Sequence, residues 1–150
     1  MNPNLNPSKR ADVVGSIDPD AYAAGTQTTG WIDMSKFFSL LAVVMAGTLG
    51  ANATLDAKFQ QAQDSGGTGA KDIAGLSITQ LTQAGADSNK QALINLMQGD
   101  LDRANGFTHV RLSMTIATAA SDAGAVVLGL DPRYGTAEDN DKASVDEIVS

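Results

Sequence analysis

The stretch that decides the fold is Thr108–Thr118, which reads THVRLSMTIAT. Its apolar side chains occupy every second position, at Val110, Leu112, Met114 and Ile116, and the residues between them are polar. A period of two is typical of a β-strand that buries one face and exposes the other. The segment is therefore predicted to be a strand with these four side chains in the core.

Related signals recur on both sides of this strand. Thr54–Gln60 also alternates, with Leu55, Ala57 and Phe59 expected to point inward. Phe37–Ala46 is an almost continuous apolar run, which fits a strand buried on both faces or a buried helix; its length and its β-branched residues favour the strand. Further strands are predicted at Thr28–Met34, Lys71–Ile73, Ser77–Thr82, Gln91–Gln98 and Ala123–Leu130.

Turn residues separate these segments, and no amphipathic helical pattern intervenes. Short strands at this spacing are typical of an antiparallel β-sandwich or jelly roll. The predicted class is therefore all-β, with the sandwich spanning 27–133. Residues 1–26 contain three of the four prolines and are predicted to form an extended, irregular N-terminal arm. Residues 134–150 are predicted to form an acidic C-terminal arm.

Composition narrows the function classes. The chain has no cysteine, which excludes disulfides and thiol chemistry, and its single histidine is too few for an ordinary metal centre. The net charge is −7, and the ten Lys and Arg residues are scattered, so direct nucleic-acid binding is not expected. No apolar run is long enough to cross a bilayer and no leader pattern stands at the start, which predicts a protein made and kept in the cytoplasm or in an assembly built there.

Three features invite a chemical interpretation, and each has a simpler one. The loop Gly66–Lys71 superficially resembles a phosphate loop, but Asp72 follows the lysine where Ser or Thr is required, so a hairpin loop is favoured. His109 is predicted to lie on the solvent side of its strand or at a subunit interface. The acids of the C-terminal arm lack the register of a calcium loop, and Ser144–Glu147 matches a capping box with too few residues after it for a stable helix.

The aromatic residues are predicted to fill the core, because a chain with only 5% aromatics cannot expose them and still pack a sandwich. They are Trp31, Phe37, Phe38, Phe59 and Phe107. No catalytic, cofactor-binding or metal-binding residue is therefore assigned, and the chain is predicted not to be an enzyme.

The chain resembles a family of small β-rich structural proteins of tailed bacteriophages in the order and spacing of several short sequence segments. The resemblance covers about four-fifths of the chain, from Gln27 to Val149. The residues that carry it are Trp31–Met34, Gly47–Leu49, Thr54–Lys58, Gln61–Asp64, Ile78–Ala84, Asn105–Arg111 and Leu128–Tyr134.

This resemblance implies a capsid decoration or cement protein, which locks neighbouring major capsid subunits together on the virion surface. It implies the major capsid protein as a partner and self-association as a dimer or trimer, with assembly in the host cytoplasm. Two alternatives stay open. One is a neck or tail component, present in far fewer copies; the other is a receptor- or glycan-binding module, which would need exposed aromatics.

Overall fold

The computed structural model describes residues 4–137 and 144–150, and in them every long element is a β-strand. Three short 3-10 turns lie at Pro7–Lys9, Gln98–Asp100 and Arg103–Asn105. The strands are β1 Ala11–Tyr22, β2 Gly25–Thr28, β3 Ile32–Asp33, β4 Phe37–Ala46, β5 Thr54–Ala62, β6 Lys71–Ser77, β7 Leu81–Thr82, β8 Gln91–Met97, β9 His109–Ala117 and β10 Ser121–Pro132. No helix in this part of the chain has the length and apolarity needed to cross a membrane.

The strands form two antiparallel sheets packed face to face. Sheet A has the order β1-β10-β4-β8, and sheet B has the order β2-β9-β5-β6, with β3 beside β9 and β7 beside β5. Apart from the β5–β6 hairpin, each long strand is followed by one in the other sheet, and the first strand pairs with the last. This wrapping is that of a jelly roll, so the predicted fold class is confirmed.

The core fills the space between the sheets. The inward row of β9 is fully buried, with Val110, Leu112 and Met114 each 0% exposed, as the alternation predicts. Leu55, Ala57 and Phe59 of β5 face the same core from the neighbouring strand. Leu40, Ala42 and Val44 close it from sheet A.

The predicted irregular N-terminal arm is wrong for most of its length. Residues 11–22 form β1, which pairs with β10 along the edge of sheet A, and Ile17 enters the core. The prolines suggested an irregular arm, but both prolines near β1 occupy positions where the strand pairing needs no amide hydrogen bond from them. Pro7 begins a 3-10 turn, and Pro19 lies in a register shift between Ile17 and Asp20.

Other strand predictions need smaller corrections. Phe37–Ala46 is a strand with the predicted bounds. Thr28–Met34 is instead two short strands, because the chain leaves β9 after Thr28 and rejoins it at Ile32. The second predicted strand after the glycine loop shrinks to Leu81–Thr82.

Candidate docking surface

The outward face of sheet B is polar, and its side chains bind one another. The Lys58 ammonium contacts Asp72 Oδ2 at 2.6 Å, and Gln60 Nε2 donates to Asp72 Oδ1 at 2.9 Å. Arg111 Nε in turn donates to Gln60 Oε1 at 3.0 Å. Hydrogen bonds from Lys58 and Gln60 hold the pKa of the Asp72 carboxyl below its usual value. This face satisfies its own charges and is suited to water.

The outward face of sheet A is of the opposite kind. Its register places the side chains of alternate residues on the outside, and none of the outward positions on β4, β8 or the facing stretch of β10 is ionisable. We call this surface the apolar face. Its apolar members are Val13, Leu41, Val43, Met45, Leu93, Met97, Val126, Leu128 and Leu130.

The apolar face is open to solvent most strongly toward β8. Leu93 is 60% exposed, Met97 is 57% exposed and Met45 is 49% exposed. Four strands about 4.8 Å apart and seven residues long span on the order of 450 Å². The polar side chains of Ser39, Gln91 and Asn95 also lie outward within this area. For comparison, the largest apolar patch of a typical monomeric protein covers about 300–600 Å².

A groove deepens one end of the apolar face. It encloses about 770 Å³ between the register shift of β1 at Pro19 and the side chain of Met45. Gly124 forms its floor, where a side chain would meet the backbone of Pro19, since a β-carbon would lie 3.0 Å from Pro19 Cα. The groove therefore gives the apolar face a concave end, and Asp20 and Asp122 also contribute to the lining of this end.

His109 begins β9 on the outward side of sheet B, half-buried. Its Nδ1 lies 2.9 Å from Thr108 Oγ1, and Asp33 stands opposite it in the β3–β9 pairing. Burial raises the pKa of the Asp33 carboxyl, but hydrogen bonds from Ser35 and the charge of His109 outweigh burial and leave it lowered. His109 therefore lies on the outward side of its strand, between the Thr108 hydroxyl and the Asp33 carboxylate.

In the glycine loop Gly66–Lys71, the backbone amides that could bind an anion already donate to the carboxylate of Asp64. Asp64 Oδ1 accepts hydrogen bonds from the amides of Gly66 at 2.9 Å and Thr68 at 3.1 Å. Hydrogen bonds from the Thr68 side chain and backbone, followed by those from the Gly66 and Gly67 amides, lower the pKa of the Asp64 carboxyl. A phosphate would have to displace this carboxylate, so the loop is a hairpin turn that carries an internal anion.

The aromatic residues are divided between core and surface. Phe37, Phe59 and Phe107 are buried as predicted, but Phe38 is 50% exposed and Trp31 is only half-buried. The Arg111 guanidinium lies 4.6 Å from the centre of the Trp31 ring. The cation therefore covers one face of the Trp31 ring, and the ring also lies beside the Gly67 backbone of the glycine loop.

No cluster of three or more metal-ligating side chains occurs in residues 4–137 and 144–150. Of the acids weighed for a calcium loop, Asp139 and Asp141 lie outside the described residues. Asp146 and Glu147 are described and lie in an exposed segment without regular structure.

The apolar face was not identified from the sequence, although its signal was present. The apolar run Phe37–Ala46 predicts burial on both faces, but sheet B covers only one face of this strand. The same holds for Val126 and Leu128, which lie outward within a run that reads as continuous core. An apolar residue at an outward position indicates that its side chain becomes buried. The sequence alone does not show whether this chain or another molecule buries it.

No protein-family model matches this chain, and no curated protein matches its sequence. Solved structures to which it is similar come from virus particles. A chain of infectious bursal disease virus, Gx strain, is 14% identical with a TM-score of 0.49, over 91% of this chain and 37% of that one. The VP2 subviral particle of the same virus gives 14% identity and a TM-score of 0.48, again over 91% of this chain and 37% of that one.

An empty virus-like particle of cowpea mosaic virus gives 10% identity and a TM-score of 0.42, over 90% of this chain and 89% of that one. The chain thus spans little more than a third of the bursal disease virus chains and most of the cowpea mosaic virus chain.

Proposed function

We propose that this chain is a structural, non-enzymatic protein of a virus particle, and specifically a decoration protein that seats its apolar face on the shell. The single observation that carries the proposal is the contrast between the two sheets. Sheet B presents an internally paired polar surface, whereas sheet A presents an apolar surface without an ionisable outward side chain on β4 or β8.

Removing such a face from water is favourable by roughly 25 cal/mol for each Å² that is buried. A decoration protein needs this kind of contact and needs no active site. The family resemblance of the sequence to tailed-phage decoration proteins supports the major capsid protein as the surface on which the face docks. The virion surface is then the place where the protein acts, after assembly in the host cytoplasm.

Many copies on one shell strengthen the effect. Each contact is modest, but repeated contacts across subunit seams act together once the geometry allows simultaneous engagement. The polar face of sheet B then points to solvent.

The test uses virus particles assembled without this protein and the purified protein added back. We expect the wild-type chain to bind in hundreds of copies per particle and to raise the temperature at which the shell releases its contents. Met45→Lys should bind far more weakly, since docking would bury an unpaired charge. Ala74→Lys, at an exposed position of β6 in sheet B, is the matched control and should bind like the wild type.

Copy number separates the alternatives. Six or twelve copies per particle would replace the proposal with a neck or tail role. Equal heat resistance with and without the protein would refute the cement role, and equal binding of both lysine variants would refute the assignment of the apolar face.

A further inference from the structure

We propose that two copies of this chain pair through β8, antiparallel and about a two-fold axis at Leu93, so that two four-stranded sheets become one continuous sheet. This inference goes beyond the proposed function and does not rest on it. It concerns the edge of sheet A rather than its face.

The other sheet edges in the described chain are protected against strand addition. β1 contains two register shifts and Pro19, and β2 is only four residues long. β6 opens with Lys71 and Asp72 and has a register shift of its own. Bulges, prolines, charges and short length are the devices by which edge strands avoid pairing with other chains.

β8 carries none of these devices. Its seven residues pair with β4 in unbroken register from Gln91 to Met97. They include no proline and no glycine, and no ionisable residue occurs between Lys90 and Asp100. A chain with a net charge of −7 therefore offers a second copy one uncharged edge.

Alternate residues of β8 direct their backbone amide and carbonyl groups away from β4, as pairing with another strand requires. In an antiparallel ladder, residues alternate between those that exchange hydrogen bonds with the neighbouring strand and those whose amide and carbonyl point away. The Ala46 amide donates to the Lys90 carbonyl at 2.9 Å. Ile94, in phase with Lys90, therefore faces β4, whereas Leu93 and Asn95 present their backbone groups to the open side.

A side-chain hydrogen bond supports this assignment of backbone directions. Met97 lies four residues after Leu93, so its amide must also point away from β4. That amide donates to Asp100 Oδ2 at 2.7 Å. The acid thus closes the end of the edge, and the amides before it are left for another strand.

The register follows from matching side chains across the new pair. An axis at Leu93 places the two Leu93 side chains opposite each other and sets Gln91 against Asn95 of the second copy. Apolar then meets apolar and amide meets amide, which are favourable cross-strand combinations. On the inner side, Ala92 lies opposite Ile94 of the second copy, so both rows are matched.

Pairing also enlarges the apolar face. Leu93 and Met97 lie at its β8 side, so the outward surfaces of two copies join at the new seam, where the Leu93 pair is flanked by the two Gln91–Asn95 pairs. The interface along β8 itself is small, so association should depend on concentration.

The experiment exploits the absence of cysteine. Leu93→Cys gives a single thiol per chain, which a short bismaleimide should convert to a covalent dimer. Ala74→Cys, at the exposed position of β6, is the matched control and should stay monomeric. Sedimentation equilibrium of the wild-type chain should show a mass that rises with concentration from 15.4 kDa to twice that value.

Leu93→Lys should abolish the rise in mass, because two lysines would then face each other at the axis, and Ala74→Lys should leave it unchanged. Far-UV circular dichroism verifies that both variants stay folded, as the 60% exposure of Leu93 leads one to expect. A wild-type mass that stays at 15.4 kDa at every concentration would overturn the proposal. So would equal cross-linking of the two cysteine variants, or a dimer that survives Leu93→Lys.

Discussion

The ring of Phe37 lies directly against the backbone of Gly129. A β-carbon at Gly129 would be 2.8 Å from Phe37 Cδ1, closer than real β-carbons approach their neighbours. Phe37 is 3% exposed, and it can be buried only because the facing strand has no side chain at this point. The contact ties the start of β4 to the end of β10 and therefore fixes where the two central strands of sheet A meet.

Gly129→Ala should cost roughly 1–3 kcal/mol of unfolding free energy, since the ring must leave its place. In a Phe37→Leu background the same substitution should cost less, because the smaller side chain frees the space. Urea denaturation of the four proteins in this double-mutant cycle measures the coupling. Equal costs of Gly129→Ala in both backgrounds would contradict the contact.

Trp31→Ala should leave the domain folded, with a loss of about 2 kcal/mol, since its half-buried ring loses only part of what a core aromatic would lose. The reference variant is Phe59→Ala, whose ring is fully buried and whose loss should be about 3–5 kcal/mol. Thermal unfolding of the two variants compares them. A greater loss for Trp31→Ala would mean that the ring anchors the core after all.

Acid should destabilise the protein as the pH falls below about 4, the ordinary range of aspartate. Hydrogen bonds from Lys71 and Asn105 hold the pKa of the Asp102 carboxyl below its usual value, as those from Lys58 and Gln60 do for Asp72. The unfolded chain then takes up protons first, so this stability is present above the unfolded pKa and is lost as pH falls through the folded pKa.

Asp102→Asn removes one of these carboxylates, so the unfolding free energy of this variant should depend less steeply on pH below about 4. Denaturation at a series of pH values gives both slopes. Identical slopes for the variant and the wild type would show that Asp102 has the same pKa in both states.

Replacing Val43, Val126 and Leu93 together by threonine should make the apolar face polar without unfolding the protein, because threonine retains a high β-propensity. We expect weaker binding of a fluorescent apolar dye and a small change in melting temperature. Val44→Thr, on the inward side of β4, is the control and should cost about 1–3 kcal/mol by burying a hydroxyl. Unchanged dye binding in the triple variant would place the exposed apolar surface elsewhere.

The local sequence pattern was sufficient to predict most strands of the two sheets. The alternation in Thr54–Gln60 and Thr108–Thr118 predicted both the strands and the sides that face the core, because side-chain direction in a strand depends only on residue parity. It failed for β1, which is an edge strand with two register shifts and thus lacks a clean period. It failed again at Trp31, whose burial depends on an arginine and a glycine loop from distant parts of the chain.

The sequence by itself determined that this chain is all-β, since a period of two and the turn residues are local properties. Only the tertiary structure decided that β1 closes sheet A, because its partner β10 lies about a hundred residues away and pairing depends on the whole wrapping. The tertiary structure also decided which apolar residues are core and which are surface. Val43 and Val44 look alike in the sequence, and they differ because sheet B covers one side of β4, whereas no strand of the described chain covers the other.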